Sequence, residues 1–517
     1  MCALFFYKST IFFNKIKELY MQSSQIAAEN GIGRTYSTAT YLKFILFSAF
    51  GVFAFFINFN LPAYQISIGA WQWGMVKAQS NVLCSHLTNF IKAALYTGNL
   101  KAMPLVVWAI GAFAVVDLFW LRPEKAWKTT KINAVFAVLK IIGFVMLTMN
   151  IVDIYFGVHF AFMNWMFEPV ESLNNSIANF VMANILVTIC ISIPCASLFL
   201  PFLVDYGLVD FVGVFVRLIM RPVFKLPGRA AVIMVTAFLG NFSAGHIAVN
   251  DQYKSGRMTE RESVCIDTSL STVSVGFLMA LASNTGLNNP ELWGGKNYWN
   301  LYFWVAFLIT LIVALIGVRI YPLNRIPDSY YPGATPNPEK VVRENVCRAA
   351  FNEALDIVEA QDSIWKRIGY IMKETMNVLG TVSAGTSFFG TFGVVLYTFT
   401  PVVRWLGYIF WPFFRIFGFT GEELTVACTG AMISFVEVTV PALMVATGVW
   451  SLRLRFMLAV LPVTSIVFLA SFVPCCMGTE VPVKFGHLCV IWLERMILSI
   501  IITGLFAVLM FPASVIA

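Results

Sequence analysis

The sequence has little charge for its length of 517 residues. Asp, Glu, Lys and Arg make up 12% of it, whereas 59% of the residues are hydrophobic. Soluble proteins carry about 25% charged residues, and a chain with half that share could not keep its surface in water. The composition therefore excludes soluble enzymes, nucleic-acid binders and disordered scaffolds. It predicts an all-α polytopic membrane protein whose main partner is the lipid bilayer.

The sequence also lacks the motifs of catalytic and structural metal sites. Its ten cysteines lie mostly in apolar stretches and form no C-x-x-C pair, which argues against a disulfide framework and a zinc site. It contains no H-E-x-x-H, no P-loop, no dinucleotide fingerprint and no G-x-S-x-G with partner residues. We therefore expect no enzymatic activity, no cofactor and no metal ligands.

Nine stretches are long and apolar enough to cross a bilayer, which takes about 20 residues of helix. They are 42–59, 102–121, 132–155, 177–200, 265–284, 301–320, 376–398, 456–475 and 485–511. The first three predict a membrane scaffold over 42–155. The segment before them, 1–41, has no signal-peptide pattern, and Met21 within it offers a second start.

Basic residues indicate how the spans are oriented. The loop 122–131 carries four Lys and Arg residues, whereas the loop 156–176 carries Glu168 and Glu171 and no basic residue. Because basic loops stay in the cytoplasm, we place the N-terminus inside and the C-terminus outside a bacterial inner membrane. The Pro-rich segment 321–366 is then a cytoplasmic linker with a helix over 338–360.

Two stretches between the spans, 228–254 and 420–448, are apolar but rich in Gly, Ser and Asn, and neither fits one spanning helix. They resemble each other at a constant offset of 193 residues. Each half of the chain is predicted to contain, in order, a span, an interfacial amphipathic helix, a broken hairpin and two further spans. Three spans per half invert the second half relative to the first, so we predict an inverted repeat of 177–320 and 376–511 with re-entrant hairpins.

Three runs near the first hairpin carry a resemblance to a known family: Leu226-Pro227-Gly228-Arg229, Leu239-Gly240-Asn241-Phe242-Ser243 and Ser255-Gly256-Arg257-Met258-Thr259-Glu260-Arg261-Glu262. They resemble the nucleoside-recognition domain, also called the Gate domain. Its superfamily includes concentrative nucleoside transporters, the membrane core of ferrous-iron transporters and spore-maturation proteins. The two copies with extra spans in front look most like YjiH-type membrane proteins. The resemblance implies an architecture over residues 40–517 and does not fix a substrate.

Polar residues at the hairpin tips and on the spans after them form the predicted substrate-binding site. Non-helical backbone within a membrane is tolerated only where it is buried in protein or lines an aqueous cavity. The residues are Asn241, Ser243, His246, Asn250, Ser271, Thr272, Ser434, Glu437, Thr439, Thr464 and Ser465. As alternatives, Asn241 and Ser243 would cap a half-helix, and the hydroxyl groups would bond back to their own helices.

Glu437 stands out in this set because it is the only acid between Glu423 and Glu480. A carboxylate is expensive within a bilayer and is a functional-site hypothesis by default. Glu437 would accept a proton, coordinate sodium or hydrogen-bond the solute. The alternative is a structural hydrogen bond across the hairpin.

Other acidic residues have structural interpretations. Thr259 with Glu262 and Thr420 with Glu423 have the T-x-x-E spacing of a helix capping box. Asp117 and Lys140 lie on consecutive spans and predict a structural ion pair, with a proton relay as the alternative.

The predicted function is transport. We expect a secondary transporter for a small polar solute, nucleoside-like or else an amino acid or short peptide, driven by Na⁺ or H⁺ and without nucleic-acid partners. A homo-oligomer is compatible with the resemblance. A metal or ion pathway is one alternative, although His246 has no soft ligand nearby in the sequence. A non-transporting assembly protein of the spore-maturation type is the other.

Overall fold

The computed structural model describes residues 36–511 except 100, 117–118, 120–130, 159, 171–174, 229, 232, 235–241, 271, 274, 337–345, 471 and 478. Helices dominate it, as predicted for an all-α protein. The described strands form three short antiparallel pairs in loops. They are β1 (Phe59–Leu61) with β4 (Gln79–Asn81), β2 (Ser67–Ile68) with β3 (Trp71–Gln72), and β5 (Pro169–Val170) with β6 (Asn175–Ser176).

The described α-helices fall into two parts of the chain, before and after residue 345. Those of the first part are α1 Thr38–Phe56, α2 Leu83–Lys92, α3 Met103–Val116, α4 Lys131–Phe156, α5 Asn164–Phe167, α6 Ile177–Val181, α7 Val187–Val204, α8 Leu208–Ile219, α9 Phe242–Lys254, α10 Glu260–Cys265, α11 Val275–Asn284 and α12 Trp299–Gly317. Those of the second part are α13 Val346–Ala360, α14 Ile364–Phe399, α15 Val402–Gly407, α16 Trp411–Ile416, α17 Gly421–Ile433, α18 Val440–Leu443, α19 Leu452–Ser465, α20 Phe472–Met477 and α21 Phe485–Met510. Four π-helical turns are described: Ala93–Thr97 follows α2, Met182–Leu186 joins α6 to α7, Met220–Phe224 follows α8, and Ile266–Leu270 follows α10.

Six of the described helical segments are long and apolar enough to cross a membrane, or seven if the bent pair Ser383–Phe399 and Val402–Ile416 is one span. Helix occupies part of each of the nine stretches predicted to span. However, 456–475 is not one unbroken helix, and that prediction was wrong: the backbone leaves helical geometry after Ser465, at Ile466 with φ +52°, and resumes at Phe472. The stretch 265–284 is likewise interrupted after Leu270 and resumes at Val275. Hydropathy cannot detect such breaks, because the residues on both sides of them are apolar.

One end of the helix bundle is built around the linker. The Tyr36 hydroxyl, just before α1, donates to Asp356 Oδ1 in α13 at 2.8 Å. Arg367, in the first turn of α14, donates to both carboxylate oxygens of Asp205 at 2.9 Å, and Asp205 directly follows α7. This end, which we call the linker end, holds the start of α1, the end of α7 and the start of α14.

The opposite end is built around the strands β1 to β4, and we call it the strand end. Asn297, just before α12, donates to Asn81 Oδ1 in β4 at 2.9 Å. The rings of Tyr298 and Phe511 meet edge to face, with their centroids 5.6 Å apart, so α21 also ends here. Tyr36 and Phe511 therefore lie at opposite ends of the bundle.

Helix α9 and the second hairpin end at opposite ends of the bundle. Lys254, the last residue of α9, pairs with Glu480 at 3.1 Å, and Tyr331 of the linker donates to the same carboxylate at 2.7 Å. The second hairpin ends instead at the strand end. There Arg455 donates to the carbonyl of Gly448 and to that of the residue after α11, both at 3.1 Å.

The two halves consequently run in opposite senses. In the first half, α7 and α9 both end at the linker end. In the second half, α14 starts at the linker end, and its 36 residues extend for about 54 Å, far enough to bring the second hairpin to the strand end. The inverted repeat of 177–320 and 376–511 stays a prediction.

Candidate functional site

The tip of the second hairpin packs against the interruption of the following span, residues 466–470, which we call the second break. Backbone amides of the break, on Leu469 and Ala470, donate to the carbonyls of Phe435 and Val436 at 2.8 and 3.2 Å. Each irregular segment thereby satisfies polar backbone groups of the other, which is the condition for such backbone within a membrane. The site is thus built on two interlocked non-helical segments.

Glu437 lies at this tip and is 1% exposed. Its Oε1 accepts hydrogen bonds from the backbone N–H and the hydroxyl of Thr439 at 3.2 and 2.9 Å. No described residue donates to its Oε2. One oxygen is therefore fixed by a residue two positions along the chain and not across the hairpin, while the other has no donor among the described residues.

Arg495, in the middle of α21, connects the two interrupted spans. Its Nε and Nη2 donate to the carbonyl of Thr464 at 3.0 and 2.6 Å, and its Nη1 donates to the carbonyl of Ser269 at 3.0 Å. In an unbroken helix these carbonyls would accept from the N–H four residues on. The guanidinium group replaces the donors that the breaks remove, and Arg495 is itself 1% exposed.

Most of the predicted hydroxyl ligands bond back to their own helices. Ser434 donates to the Ala431 carbonyl at 2.7 Å, Thr464 to carbonyls of the preceding turn at 3.2 Å, and Ser465 to the carbonyl three residues before it at 3.5 Å. This is the alternative that the sequence analysis gave for them. Thr272 differs: with Val273 it forms the described non-helical part between Leu270 and Val275, which we call the first break, and its buried Oγ1 has no partner among the described residues.

The first hairpin contributes His246, which lies on α9 and is 1% exposed. Its Nδ1 lies 3.0 Å from Oδ1 of Asp267 on the π-helical turn. Cys476 of α20 completes a buried group, with the ligand atoms of all three residues within 4.8 Å of one another. His246 thus has in space the soft partner that it lacks in the sequence.

The remaining predicted residues are placed as follows. Asn250 lies one helical turn beyond His246, where its Oδ1 accepts from the backbone N–H of Glu480 at 2.9 Å near the linker end. Asn241 and Ser271 lie outside the described residues, as does the side chain of Ser243. The side chain of Asn250 is thus engaged with the backbone near Glu480.

The structural predictions for other acidic residues have different outcomes. The capping box of Thr259 and Glu262 is confirmed at the start of α10. The box predicted for Thr420 and Glu423 was wrong: Thr420 makes no side-chain cap, and Glu423 instead accepts from the backbone N–H of Ser451 at 2.7 Å. Asp117, the proposed partner of Lys140, lies outside the described residues.

Asp267 and Arg495 were missed as site residues in the sequence, although a signal was present. Each is an ionisable residue inside a stretch predicted to span, at 265–284 and 485–511. Ionisable groups at such positions mark functional sites by default, and that rule was applied to Glu437, Asp117 and Lys140 but not to these two. Their contacts join parts of the chain that are distant in sequence.

These features define the chain as an all-α, multi-pass membrane protein with two interrupted spans that meet inside the bundle. Residues 186–288, which include the first hairpin and the first break, match the family model described as Gate, nucleoside recognition. This segment is therefore similar to the Gate domain, as the resemblance of its motifs predicted.

Relatives and solved structures resemble larger parts of the chain. Over 488 residues it is 26% identical to an uncharacterized protein of Alkalihalophilus pseudofirmus, covering 90% of this chain and 94% of that one. A structure of a CNTnw variant in an intermediate 1 state has a TM-score of 0.36 and 15% identity, covering 78% of this chain and 92% of that one. A CNTnw variant in an outward-facing state has a TM-score of 0.31 and 15% identity, covering 79% and 99%.

Proposed function

We propose that this protein is a secondary transporter for a small polar solute, which binds between the two hairpins. The observation that carries the proposal is the arrangement of the breaks. Each oppositely oriented half contributes one interrupted span, and Arg495 holds both interruptions together through Ser269 and Thr464. Oppositely oriented halves with non-helical segments around a central site are the plan by which secondary transporters expose that site to each side in turn.

The polar groups at this position suit a neutral solute with several hydroxyl or amide groups. Glu437 Oε2 and Thr272 Oγ1 are buried without partners among the described residues. Leaving such a group unsatisfied costs about 1–3 kcal/mol, and a solute that hydrogen-bonds to both would remove that cost. A nucleoside fits this requirement through its ribose hydroxyls and base, and the Gate match favours it. Amino acids and short peptides are the next class to test.

Coupling to an ion gradient is part of the proposal, because no phosphate-binding loop is present to use a nucleotide. Glu437 is the group that we expect to carry it. Its free oxygen would take up a proton, or would coordinate sodium together with nearby carbonyl groups. The coupling ion is therefore decided by comparing a sodium gradient with a proton gradient.

The test is solute flux into proteoliposomes that contain the purified full chain. Nucleosides, amino acids and dipeptides would be supplied under a sodium gradient and under a proton gradient. We expect saturable uptake of one class, and its loss in Glu437→Gln. Glu423→Gln is the matched control, since Glu423 belongs to the same hairpin but bonds the Ser451 amide away from its tip.

Absence of saturable flux for every class under either gradient would overturn the transport proposal. A non-transporting assembly protein would then be the better account. Equal flux in the wild type and in Glu437→Gln would retain transport but remove Glu437 from the site.

A further inference from the structure

We propose that His246, Asp267 and Cys476 form a binding site for one divalent transition-metal ion of borderline softness, such as Zn²⁺ or Fe²⁺. An imidazole nitrogen, a carboxylate oxygen and a thiol sulfur meet here, all within 4.8 Å of one another. The three side chains are 1%, 0% and 0% exposed. They come from α9, the π-helical turn Ile266–Leu270 and α20.

The spacing is close to what such an ion requires. Tetrahedral zinc with bonds of about 2.0–2.3 Å to nitrogen, oxygen and sulfur places neighbouring ligand atoms about 3.3–3.6 Å apart. The His246 and Asp267 atoms are 3.0 Å apart, and no pair exceeds 4.8 Å. Side-chain adjustments of about 1 Å are therefore enough to complete the geometry.

The donor set selects the class of ion. A thiolate and an imidazole favour zinc, iron or cobalt, whereas magnesium and calcium take oxygen ligands. Sodium, the coupling ion considered for the hairpins, is a hard cation that takes oxygen ligands and does not bind thiolate sulfur. The site is therefore distinct in chemistry from the proposed position of Glu437.

The surroundings supply a reason for an ion to be there. Among the described residues, no donor other than His246 reaches the carboxylate of Asp267, which is fully buried. An isolated buried carboxylate is costly, and a bound cation would compensate its charge. The rings of His246 and Phe472 pack edge to face, with their centroids 4.9 Å apart. This contact orients one of the three ligands.

The site would link the two halves of the chain inside the membrane. His246 precedes Lys254 at the linker end by eight residues of helix, about 12 Å, and Cys476 comes from the opposite repeat. Three protein ligands also leave one tetrahedral position open to water or a solute.

The test is a Co²⁺ titration of the purified full chain in nanodiscs with a non-thiol reductant, followed by absorption. We expect one Co²⁺ per chain, with thiolate-to-metal absorption bands, and displacement by Zn²⁺. His246→Ala, Asp267→Asn and Cys476→Ser should each weaken binding about 100-fold or more, since even outer-shell substitutions cost about 10- to 100-fold. Cys475→Ser, at the adjacent cysteine outside the cluster, should leave both the bands and the affinity unchanged.

Two results would overturn the proposal: no stoichiometric Co²⁺ binding by the wild type, or binding that the three cluster variants retain. Size-exclusion profiles and unfolding temperatures separate lost ligands from lost fold. If the His246 or Asp267 variant unfolds, the comparison of Cys476→Ser with Cys475→Ser still tests the site. The thiolate bands of the wild type must disappear in Cys476→Ser and persist in Cys475→Ser. Solute flux does not enter this test, so the metal site and the transport proposal fail independently.

Discussion

The two halves of the chain place different chemistry on the same arrangement of elements. At the offset of 193 residues, His246 of the first hairpin corresponds to Thr439 of the second. His246 faces Asp267 and Cys476, whereas Thr439 donates two hydrogen bonds to Glu437. The first half thus offers a cluster of metal-ligating groups, and the second offers one oriented carboxylate with a free oxygen.

The last helices of the two halves, α12 and α21, also carry different side chains at equivalent positions. Tyr302 in α12 corresponds to Arg495 in α21 at the same offset. The Tyr302 hydroxyl donates one hydrogen bond, to the carbonyl of Ala459 at 3.1 Å, while Arg495 donates to the carbonyls next to both breaks. The difference teaches that two equivalent helix positions can carry different side chains, and that the residue type there determines which half stabilises the two breaks.

The largest effect should follow from Arg495→Leu. Two buried carbonyls would lose their donors, at about 1–3 kcal/mol each, so we expect the free energy of unfolding to fall by about 3 kcal/mol or more. Tyr302→Phe removes a single hydrogen bond and should cost about 1 kcal/mol. Thermal unfolding of both variants in the same detergent measures the difference. Equal losses would mean that the two helices contribute alike.

The next largest effect should be on ligand affinity, with one variant in each half weakening the binding of a different ligand. Glu437→Gln keeps an oxygen that accepts from Thr439 but loses the charge, and hydrogen bonds to charged groups contribute about 1.5–3 kcal/mol. We expect the affinity for the transported solute to fall about 10-fold or more, while Co²⁺ binding is unchanged. Asp267→Asn should show the reverse pattern. Titrations of both ligands on one preparation measure this, and a joint loss in either variant would contradict separate sites.

Two glycines at helix contacts, one within each half, should differ moderately in the cost of substitution by alanine. A Cβ at Gly276 would lie 3.0 Å from the Ala196 Cβ and 3.1 Å from the Ile193 Cα, which cannot move independently of the backbone. At Gly430 it would lie 2.7 Å from the end of the flexible Leu458 side chain. We expect Gly276→Ala to cost about 1–3 kcal/mol and Gly430→Ala less. Unfolding temperatures rank them, and the opposite order would contradict this account of the packing.

The smallest effect should come from the exposed contacts of Glu480 at the linker end. The hydrogen bond from Tyr331 and then the Lys254 ammonium lower the pKa of Glu480 below its ordinary value. Its stabilisation is therefore present above the ordinary pKa and is lost as the pH falls through the lowered one. Unfolding temperatures of the wild type and Glu480→Gln should differ slightly near neutral pH and converge in acid or high salt. A difference that grows in acid would contradict the direction of this shift.

Much of the fold could be predicted because it depends on local patterns. A run of about 20 apolar residues is visible without knowing its neighbours, and helix was found in each predicted stretch. Thr272, Thr464 and Ser465 were singled out as polar residues on spans predicted to be unbroken; Thr272 lies in the first break, and Thr464 and Ser465 directly precede the second. Glu437 was identifiable because a single acid in an apolar stretch needs an explanation.

The rest depends on contacts between distant parts of the chain. A break after Ser465 is stable only because Arg495 and the second hairpin supply partners for its backbone, and no local pattern reveals them. Cys476 looks like an ordinary apolar residue until the fold places it beside His246. The capping box predicted at Glu423 failed for the same reason, since the Ser451 amide competes for its carboxylate.

The most direct test of solute binding between the hairpins is ligand-induced thermal stabilisation of the purified chain. A ligand at about 100 times its dissociation constant adds about 2.7 kcal/mol to the folded state, enough to detect across a panel of nucleosides, amino acids and dipeptides, with and without sodium. We predict that one class raises the unfolding temperature of the wild type and of Glu423→Gln but not of Glu437→Gln. A stabilising solute that acts equally on Glu437→Gln, or no stabilising solute at all, would contradict the account.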